Sequence, residues 1–243
     1  MMSKCAFISG ASRGIGKGIA EVLASAGYNL ALCCVNNMDH LEEYATNLQK
    51  TFGIHAKAYQ LDVSSIKDWE NVSSEITTDF GDIDVVINNA GISYIGLITD
   101  MSSEDWNKIV STNLDSVFYS TKSFLPKMIN RKSGHIINIS SMWGERGASC
   151  EVAYSTTKGG INAFTKALAK EVAPSNIAVN AIACGVIDTD MNSCFSQEEI
   201  SELVDEIPAG RLGTPTEVGQ LVLSILNSPS YMTGQIIGID GGF

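Results

Sequence analysis

The sequence carries little positive charge for its length. Its 243 residues include 16 Lys and Arg against 27 Asp and Glu, which gives a formal net charge of -11. Proteins that bind nucleic acids or anionic membranes usually present a basic surface that neutralises phosphates. We therefore expect neither a nucleic acid nor a membrane as a partner, and an acidic protein partner would need a local basic patch.

Residues that hold metals or form disulfides are few and scattered. The three His do not cluster, no two Cys have the C-x-x-C spacing, and no metal site is predicted. The adjacent Cys33 and Cys34 would point to opposite faces of a strand. We expect reduced thiols that act as small apolar side chains. The cysteines are Cys5, Cys33, Cys34, Cys150, Cys184 and Cys194.

Long apolar runs and linkers are also missing. No stretch approaches the roughly 18 consecutive apolar residues of a transmembrane helix. The first residues lack the apolar region of a signal peptide, so we expect a cytoplasmic protein. No Pro, Gly or Ser-rich segment divides the chain, and we expect one domain over residues 1–243.

What the chain does have is a regular alternation of apolar strands and amphipathic helices. Several strand segments are almost continuously apolar, as expected for strands buried on both faces. The pattern predicts an α/β fold: a single doubly wound Rossmann-type domain with a seven-stranded parallel sheet and helices on both faces. The predicted strands are 5–9, 29–35, 55–60, 83–88, 135–140, 177–183 and 235–239. The predicted helices are 15–26, 41–52, 67–80, a pair over 103–130, 154–173 and 216–226.

One segment, 187–208, interrupts this alternation. It follows a predicted strand, is polar and acidic, and contains no further apolar strand. Long loops in compact domains often cover a binding site. We interpret the segment as a substrate loop; an ordinary surface excursion is the alternative.

A glycine-rich turn joins the first strand to the first helix. Glycines at such a turn allow positive φ and close approach of a ligand, and the helix N-terminus attracts a pyrophosphate. Such turns also serve tight packing, and the spacing G-x-x-x-G-x-G differs from the common dinucleotide pattern. Its place at the first strand-to-helix turn nevertheless favours a dinucleotide site. The predicted contacts are Gly10, Ser12, Arg13, Gly14, Ile15 and Gly16.

The end of the second strand indicates which dinucleotide is bound. Sites for NAD usually place an acid there, whereas an Arg accommodates the 2′-phosphate of NADP. This chain has Asn36 at that point, no acid before Asp39, and Arg13 in the glycine-rich turn. We predict that NADP(H) is preferred over NAD(H); a solvated loop charge is the alternative for Arg13.

Three residues suggest chemistry. Tyr154 and Lys158 lie four residues apart at the start of a predicted helix, and Ser141 follows a predicted strand. In open α/β sheets, ligands bind at the carboxyl ends of the strands. A single Y-x-x-x-K pair is weak evidence for an active site, because such a pair also occurs by chance. The other motifs of the chain therefore have to support it.

Taken together, these motifs resemble the short-chain dehydrogenase/reductases. The resemblance rests on Ser9 and the glycine-rich turn, on 88–91, and on Asn113, Ser141 and Tyr154 with Lys158, in order along the chain. It implies that Tyr154 is the general acid in reduction and the base in oxidation. Lys158 would lower the pKa of Tyr154, Ser141 would hold the substrate oxygen, and Asn113 would hold a water that links Lys158 to solvent.

The resemblance also implies further cofactor contacts. Asp62 and Val63 would lie at the adenine ring, and Asn89 with Gly91 would flank the adenine-side ribose. Tyr154 and Lys158 would belong to the cofactor site as well. Ile187 and Thr189 would touch the nicotinamide amide. Two positions depart from the family pattern: Cys184 stands where Pro is usual, which frees the loop that follows, and Ser9 replaces Thr.

Two segments near the C-terminus, 211–217 and 231–242, are most similar to the 3-oxoacyl-[acyl-carrier-protein] reductase branch of the family. This resemblance implies a step of fatty acid biosynthesis. The substrate would be a 3-oxoacyl thioester, and an acyl carrier protein is a candidate partner. Arg131 and Lys132 are a candidate docking patch, although they could merely complement a helix dipole. The uncharged turn 174–176 speaks against docking. The alternatives are another small ketone, sterol or polyol as substrate, or a non-catalytic NADP-binding sensor or scaffold.

Family resemblance further implies a homotetramer built on the helices at 112–130 and 154–173. The aromatic side chains on these helices could form the interface or could belong to the core. They are Phe118, Tyr119, Phe124 and Phe164.

Overall fold

Seven parallel strands form one sheet in the order β3-β2-β1-β4-β5-β6-β7. The computed structural model describes residues 4–193 and 195–243, so Cys194 lies outside the described residues. Every predicted strand is present, with ends shifted by two residues or fewer. The strands are β1 (Cys5–Ser9), β2 (Asn29–Cys34), β3 (Ala56–Gln60), β4 (Val85–Asn88), β5 (Gly134–Ser141), β6 (Ile177–Cys184) and β7 (Ile236–Ile239).

Helices connect the strands and cover both faces of the sheet, which confirms the predicted doubly wound α/β fold. The predicted helical pair over 103–130 is two helices joined by a π-helical turn, Ser111–Asp115. The described helices are α1 (Gly14–Ser25), α2 (Met38–Phe52), α3 (Ile66–Phe80), α4 (Ser103–Val110), α5 (Ser116–Arg131), α6 (Trp143–Arg146), α7 (Val152–Val172), α8 (Gln197–Glu206) and α9 (Pro215–Leu226). No helix in the described part of the chain is long and apolar enough to cross a membrane.

The core consists of two apolar clusters, one on each face of the sheet. One cluster packs the sheet against α1, α2 and α9, and the other packs it against α3, α5 and α7. Neighbouring residues of one strand divide between the clusters: Cys34 belongs to the first and Cys33 to the second. This division confirms the expected opposite orientation of the two thiols and explains why the strands are apolar at nearly every position.

The segment 187–208 is not an irregular loop, because it contains the ten-residue helix α8. This helix buries none of its residues, so the apolar periodicity that reveals a helix is weak. Its start does have a readable signal. Ser196 and Glu199 form a capping box, in which each side chain bonds the other's backbone N–H.

The aromatic residues proposed for an interface divide between core and surface. Phe124 is buried in the second cluster, and Tyr119 and Phe164 pack partly against it. Phe118 remains 49% exposed on α5. Phe124 is therefore a core residue, and Phe118 is the aromatic of the four that is most available for contact with another chain.

Candidate active site

The carboxyl ends of β1, β4, β5 and β6 meet at one edge of the sheet because all the strands are parallel. The register places Asn88 beside Asn138, and Ser141 beside Cys184. The predicted site residues that follow these strands therefore lie on the same edge, where open α/β sheets bind ligands.

The glycine-rich turn has a shape that requires glycine. Gly10 and Gly14 have φ of 65° and 52°, in the left-handed region. A Cβ on Gly16 would lie 2.2 Å from the carbonyl oxygen of Gly10, so a larger residue would break the turn. At the start of α1, Arg13 makes no side-chain cap and the first turn contains no acid. The N–H groups of this helix start are thus directed to an anion from outside the helix.

The Ser9 hydroxyl and the Asn89 amide hold this turn against the end of β4. The Ser9 Oγ accepts hydrogen bonds from the backbone N–H of Asn89 at 2.9 Å and of Ala90 at 3.0 Å. The Asn89 Nδ2 donates to the carbonyl oxygens of Ser9 at 2.9 Å and of Gly10 at 3.1 Å. Ser in place of the usual Thr keeps this function, and Asn89 fixes the turn rather than only flanking a ribose.

At the end of β2 the side chains are exposed and uncharged. Val35 and Asn36 are exposed, and Asn37 has a left-handed φ of 62°. The Arg13 guanidinium lies 3.6 Å from the carboxylate of Asp190, with both side chains largely exposed. An exposed ion pair of this kind contributes about 1 kcal/mol or less, so Arg13 can exchange Asp190 for a phosphate.

Asp62 and Val63 lie just after β3, and their contact with the adenine ring stays a prediction. The Asp62 carboxylate accepts hydrogen bonds from the Ser64 N–H at 2.9 Å and from the Ser64 hydroxyl at 2.7 Å. Val63 is buried, and its carbonyl oxygen accepts a bond of 2.9 Å from the Trp69 indole. One carboxylate oxygen of Asp62 is thus used within the turn.

The segment after β6 lies against the glycine-rich turn. Ile187 is buried and forms a parallel bridge with Gly213. A Cβ on Gly14 would lie 3.2 Å from the Thr189 methyl group, so Thr189 contacts the turn. The sequence predicts a freer loop after Cys184, because Cys184 stands where Pro is usual. In the structure, the Gly185 N–H donates to the Ile239 carbonyl oxygen at 3.0 Å, so β7 holds this backbone in place.

Tyr154, Lys158 and Ser141 lie together between α7 and the end of β5, where Lys158 and Ser141 are buried and Tyr154 is partly exposed. Lys158 is 4% exposed, and its Nζ donates to the Ile139 carbonyl oxygen at 2.8 Å. The same Nζ lies 5.4 Å from the centroid of the Tyr154 ring. The structure thus brings the predicted pair together, and the strand end positions the ammonium group.

The electrostatics of this group differ from the expectation that Lys158 lowers the pKa of Tyr154. In the protein alone, burial raises the pKa of Tyr154, Cys184 and Glu151 raise it further, and the Ser141 hydroxyl opposes the shift. Burial also lowers the pKa of Lys158 to about 8. Burial is the largest cause because a phenolate would lose its hydration, and Lys158 is not among the causes of the shift. Tyr154 is therefore protonated at neutral pH, as a proton donor must be.

Asn113 lies in the π-helical turn and is almost fully buried. Its Oδ1 accepts from the Ile92 N–H at 2.8 Å, and its Nδ2 donates to the Ile92 carbonyl at 2.9 Å and to the Thr157 hydroxyl at 3.2 Å. A Cβ on Gly91 would lie 3.3 Å from the Asn113 Oδ1 and 3.6 Å from the Lys158 Nζ. Asn113 thus braces the 91–92 backbone beside Lys158, and the water expected there stays a prediction.

A buried polar network supports the site and was not predicted from the sequence. The Asn88 Nδ2 donates to the Asn138 Oδ1 at 2.8 Å, and the Asn138 Nδ2 donates to the Thr165 hydroxyl at 2.8 Å. The Ser120 hydroxyl donates to the Asn88 Oδ1 at 2.5 Å. An Asn within an apolar strand is a signal that could have revealed the network, because Asn is depleted in strands.

In the candidate docking patch, Arg131 is used within the chain and Lys132 is exposed. The Arg131 guanidinium lies 3.6 Å from the Asp82 carboxylate and 3.4 Å from the Asp84 carboxylate, it also donates to the Ile83 carbonyl oxygen, and the side chain is 20% exposed. The three other arginines of the chain also pair with carboxylates. The pairs are Arg13 with Asp190, Arg146 with Asp240, and Arg211 with Glu217.

Comparison with known proteins agrees with this geometry. A family model described as short chain dehydrogenase matches residues 4–200. The chain belongs to the short-chain dehydrogenase family. An uncharacterized oxidoreductase of Bacillus subtilis, YmfI, is 44% identical over 243 residues, which is 100% of this chain and 99% of that protein.

Two other relatives of this short-chain dehydrogenase carry a more specific name. The 3-oxoacyl-[acyl-carrier-protein] reductases FabG of Aquifex aeolicus and Chlamydia muridarum are 38% and 39% identical to it. Each similarity covers 100% of this chain and 98% of the relative. The chain is thus an oxidoreductase of a family that uses a nicotinamide cofactor.

Proposed function

We propose that this protein is an NADPH-dependent carbonyl reductase that protonates its substrate through Tyr154. The observation that supports the proposal is the group of Tyr154, Lys158 and Ser141 at the same sheet edge as the start of α1, which has no side-chain cap. A catalytically silent NADP-binding sensor could dispense with Tyr154 or Lys158, and both are in place. The residues at the turn fit the cofactor, since free N–H groups, a positive helix end and no acid suit a pyrophosphate.

The proposed chemistry divides between cofactor and protein. When bound, NADPH supplies the hydride to the carbonyl carbon. Tyr154 donates its proton to the carbonyl oxygen, on which negative charge develops, and Ser141 donates a hydrogen bond to that oxygen. Lys158 stabilises the resulting phenolate, because its Nζ is held beside the ring by the Ile139 carbonyl.

The preference for NADPH is supported by the two positions that would meet the ribose 2′ group. No acid lies between the end of β2 and Asp39, at the point where an acid would repel a 2′-phosphate, and the exposed Arg13 is held by a surface ion pair. Ser12, Ile15, Asp62, Val63, Ile187 and Thr189 are proposed as further cofactor contacts because they lie at the same edge.

A 3-oxoacyl thioester, reduced to the 3-hydroxyacyl product, is the first substrate class that we propose. The name of the FabG relatives and their similarity over the whole chain support it. An acyl carrier protein would then be the partner that presents the thioester, and fatty acid biosynthesis would be the setting.

A second candidate is a reductase of another ketone, sterol or polyol that no carrier protein presents. The observation that favours it is the pairing of every arginine with a carboxylate, which leaves no unpaired guanidinium for an acidic carrier. We also propose a homotetramer, in which the half-exposed Phe118 of α5 would contact another chain.

The test is a panel of carbonyl compounds assayed with NADPH and, in parallel, with NADH. The panel contains 3-oxoacyl groups on acyl carrier protein, on coenzyme A and on a short thiol, together with neutral ketones. We expect reduction with a higher kcat/KM for NADPH. Fast turnover of other ketones and none of any thioester would select the second candidate. Cofactor binding without turnover of any compound would overturn the proposed function.

A further inference from the structure

Glu151 is a carboxylate beside the catalytic tyrosine that the proposed chemistry does not use. It caps the start of α7 by its backbone alone, three residues before Tyr154, and its side chain makes no capping hydrogen bond. Its carbonyl oxygen accepts from the Ser155 N–H at 2.9 Å, and its N–H donates to the Ala148 carbonyl at 3.3 Å. Within the described residues, nothing donates a hydrogen bond to its carboxylate or pairs with it.

The position of Glu151 is well defined by the turn before it. Gly147 and Cys150 have left-handed φ angles of 74° and 63°. The Cys150 carbonyl oxygen accepts a hydrogen bond of 2.8 Å from the Gly96 N–H, and the Ala148 N–H donates to the Ser155 hydroxyl at 3.1 Å. A non-glycine residue adopts such a φ at a cost, and this bonded turn maintains it.

The Glu151 side chain is half-buried and lies three residues before Tyr154 in the chain. Burial raises the pKa of Glu151, and the charge of Glu151 is one of the causes that raise the pKa of Tyr154. A half-buried carboxylate loses part of its hydration, and without a hydrogen-bond donor nothing compensates for that cost in free energy. A ligand that brings a donor to this point would restore that loss.

The cations of the neighbourhood are already in use. Arg146 pairs with Asp240 and donates to the Phe243 carbonyl oxygen, and the Lys158 Nζ donates to the Ile139 carbonyl. The helix α8, in the excursion that follows Thr189 at this edge, contains five acids and no base. The described cations near Glu151 are therefore not available to its carboxylate, and a positively charged ligand could neutralise it.

We infer that the unpartnered Glu151 carboxylate recognises a positively charged hydrogen-bond donor, such as an ammonium group, on the ketone that Tyr154 protonates. The inference rests on the proposed carbonyl reduction, and it favours the second substrate candidate, a ketone that no carrier protein presents, and narrows that candidate to amino ketones. An ammonium group satisfies the carboxylate by a charge-assisted hydrogen bond, which is stronger than a neutral one. It also places the carbonyl group near the Tyr154 hydroxyl.

The test uses three ketones of equal length that end in an ammonium, a neutral hydroxyl or a carboxylate group. We expect the wild-type kcat/KM to fall in that order. In Glu151→Gln, the ratio of kcat/KM for the amino ketone to that for the neutral ketone should fall about tenfold, as expected for the loss of one charge-assisted bond. Glu151→Lys should prefer the keto acid.

The matched control is Glu70→Gln, which removes the same charge from the exposed face of α3 and should leave the ratio unchanged. Equal loss for all three ketones in Glu151→Gln would mean that Glu151 acts only on Tyr154, and would overturn the inference. The inference is also overturned if the wild-type protein shows no preference for the amino ketone. This result does not depend on whether the variant folds.

Failure of the proposed function gives a different result. Wild type would then reduce none of the three ketones, and binding of the matching amino alcohol and diol, measured by calorimetry in the presence of NADP, would test Glu151 separately. Tighter binding of the amino alcohol, lost in Glu151→Gln, supports the recognition; equal binding overturns it.

Discussion

The two halves of the carboxyl edge are built in different ways. Around β1 and α1, the structure offers backbone groups: a turn shaped by glycines and a helix start without a cap or an acid. Around β4, β5 and α7, it offers side chains that are buried and bonded to one another, including Asn88, Asn138 and Lys158. In the proposed function, the first half binds the phosphates of the cofactor and the second half carries the reaction.

This difference has a physical reason. A pyrophosphate satisfies several N–H groups at once, so the binding half gains most by leaving them free. A proton donor must be held in one position, which requires a rigid surrounding of satisfied hydrogen bonds. We therefore expect substitutions in the catalytic half to affect turnover or stability, and those in the binding half to affect cofactor affinity.

The largest expected effect is in the catalytic half. Tyr154→Phe removes the proton donor and keeps the ring, so kcat for carbonyl reduction should fall by roughly 10²–10⁴-fold while cofactor binding persists. Steady-state kinetics and NADPH titration measure the two quantities. Tyr231→Phe is the control because Tyr231 is almost fully exposed. Activity within about tenfold of wild type would contradict the assignment of Tyr154.

The stability of the protein should depend on the buried hydrogen-bond network of the catalytic half. Asn138→Ala leaves the Asn88 amide without its acceptor and the Thr165 hydroxyl without its donor. The free energy of unfolding should fall by about 1–3 kcal/mol, measured by urea denaturation. The exposed Asn47 of α2 gives the control Asn47→Ala. Equal stability of the two variants would show that the network does not support the site.

The binding half should respond in cofactor affinity alone. Arg13→Ala removes the proposed partner of the 2′-phosphate, and KM for NADPH should rise about tenfold because a hydrogen bond to a charged group is worth roughly 1.5–3 kcal/mol. KM for NADH and the stability should change little. The control is Lys67→Ala at an exposed position of α3. An equal rise for both cofactors would refute the preference for NADPH.

The smallest effect is expected at α9, where side chains of the chain itself bond the first N–H groups of the helix. Thr214 caps α9 in a capping box with Glu217, in contrast to the uncapped α1. Thr214→Ala should cost about 1 kcal/mol of stability and leave the kinetic constants unchanged. Ser224→Ala, on the exposed face of the same helix, is the matched control. A kinetic effect of Thr214→Ala as large as that of Arg13→Ala would end the distinction between the two helix starts.

The strands and the candidate catalytic residues could be read from the sequence. The strands are buried on both faces and form nearly continuous apolar runs. Such runs can be recognised in the sequence without knowing which elements pack against them. The helix α8 was missed because it buries no residue, although the Ser196 and Glu199 pair was present as a signal. The ion pairs of Arg131 were out of reach because Asp82 and Asp84 lie far away in the chain.

The order of apolar strands and helices by itself determined the doubly wound sheet of this short-chain dehydrogenase, and the motif residues determined which side chains could react. Only the tertiary structure decided that burial raises the pKa of Tyr154, that Asn113 braces the backbone beside Lys158, and that the Glu151 side chain has no partner among the described residues. Periodicity reports local burial along the chain. Hydrogen-bond partners and desolvation depend on groups that the fold brings together from distant positions.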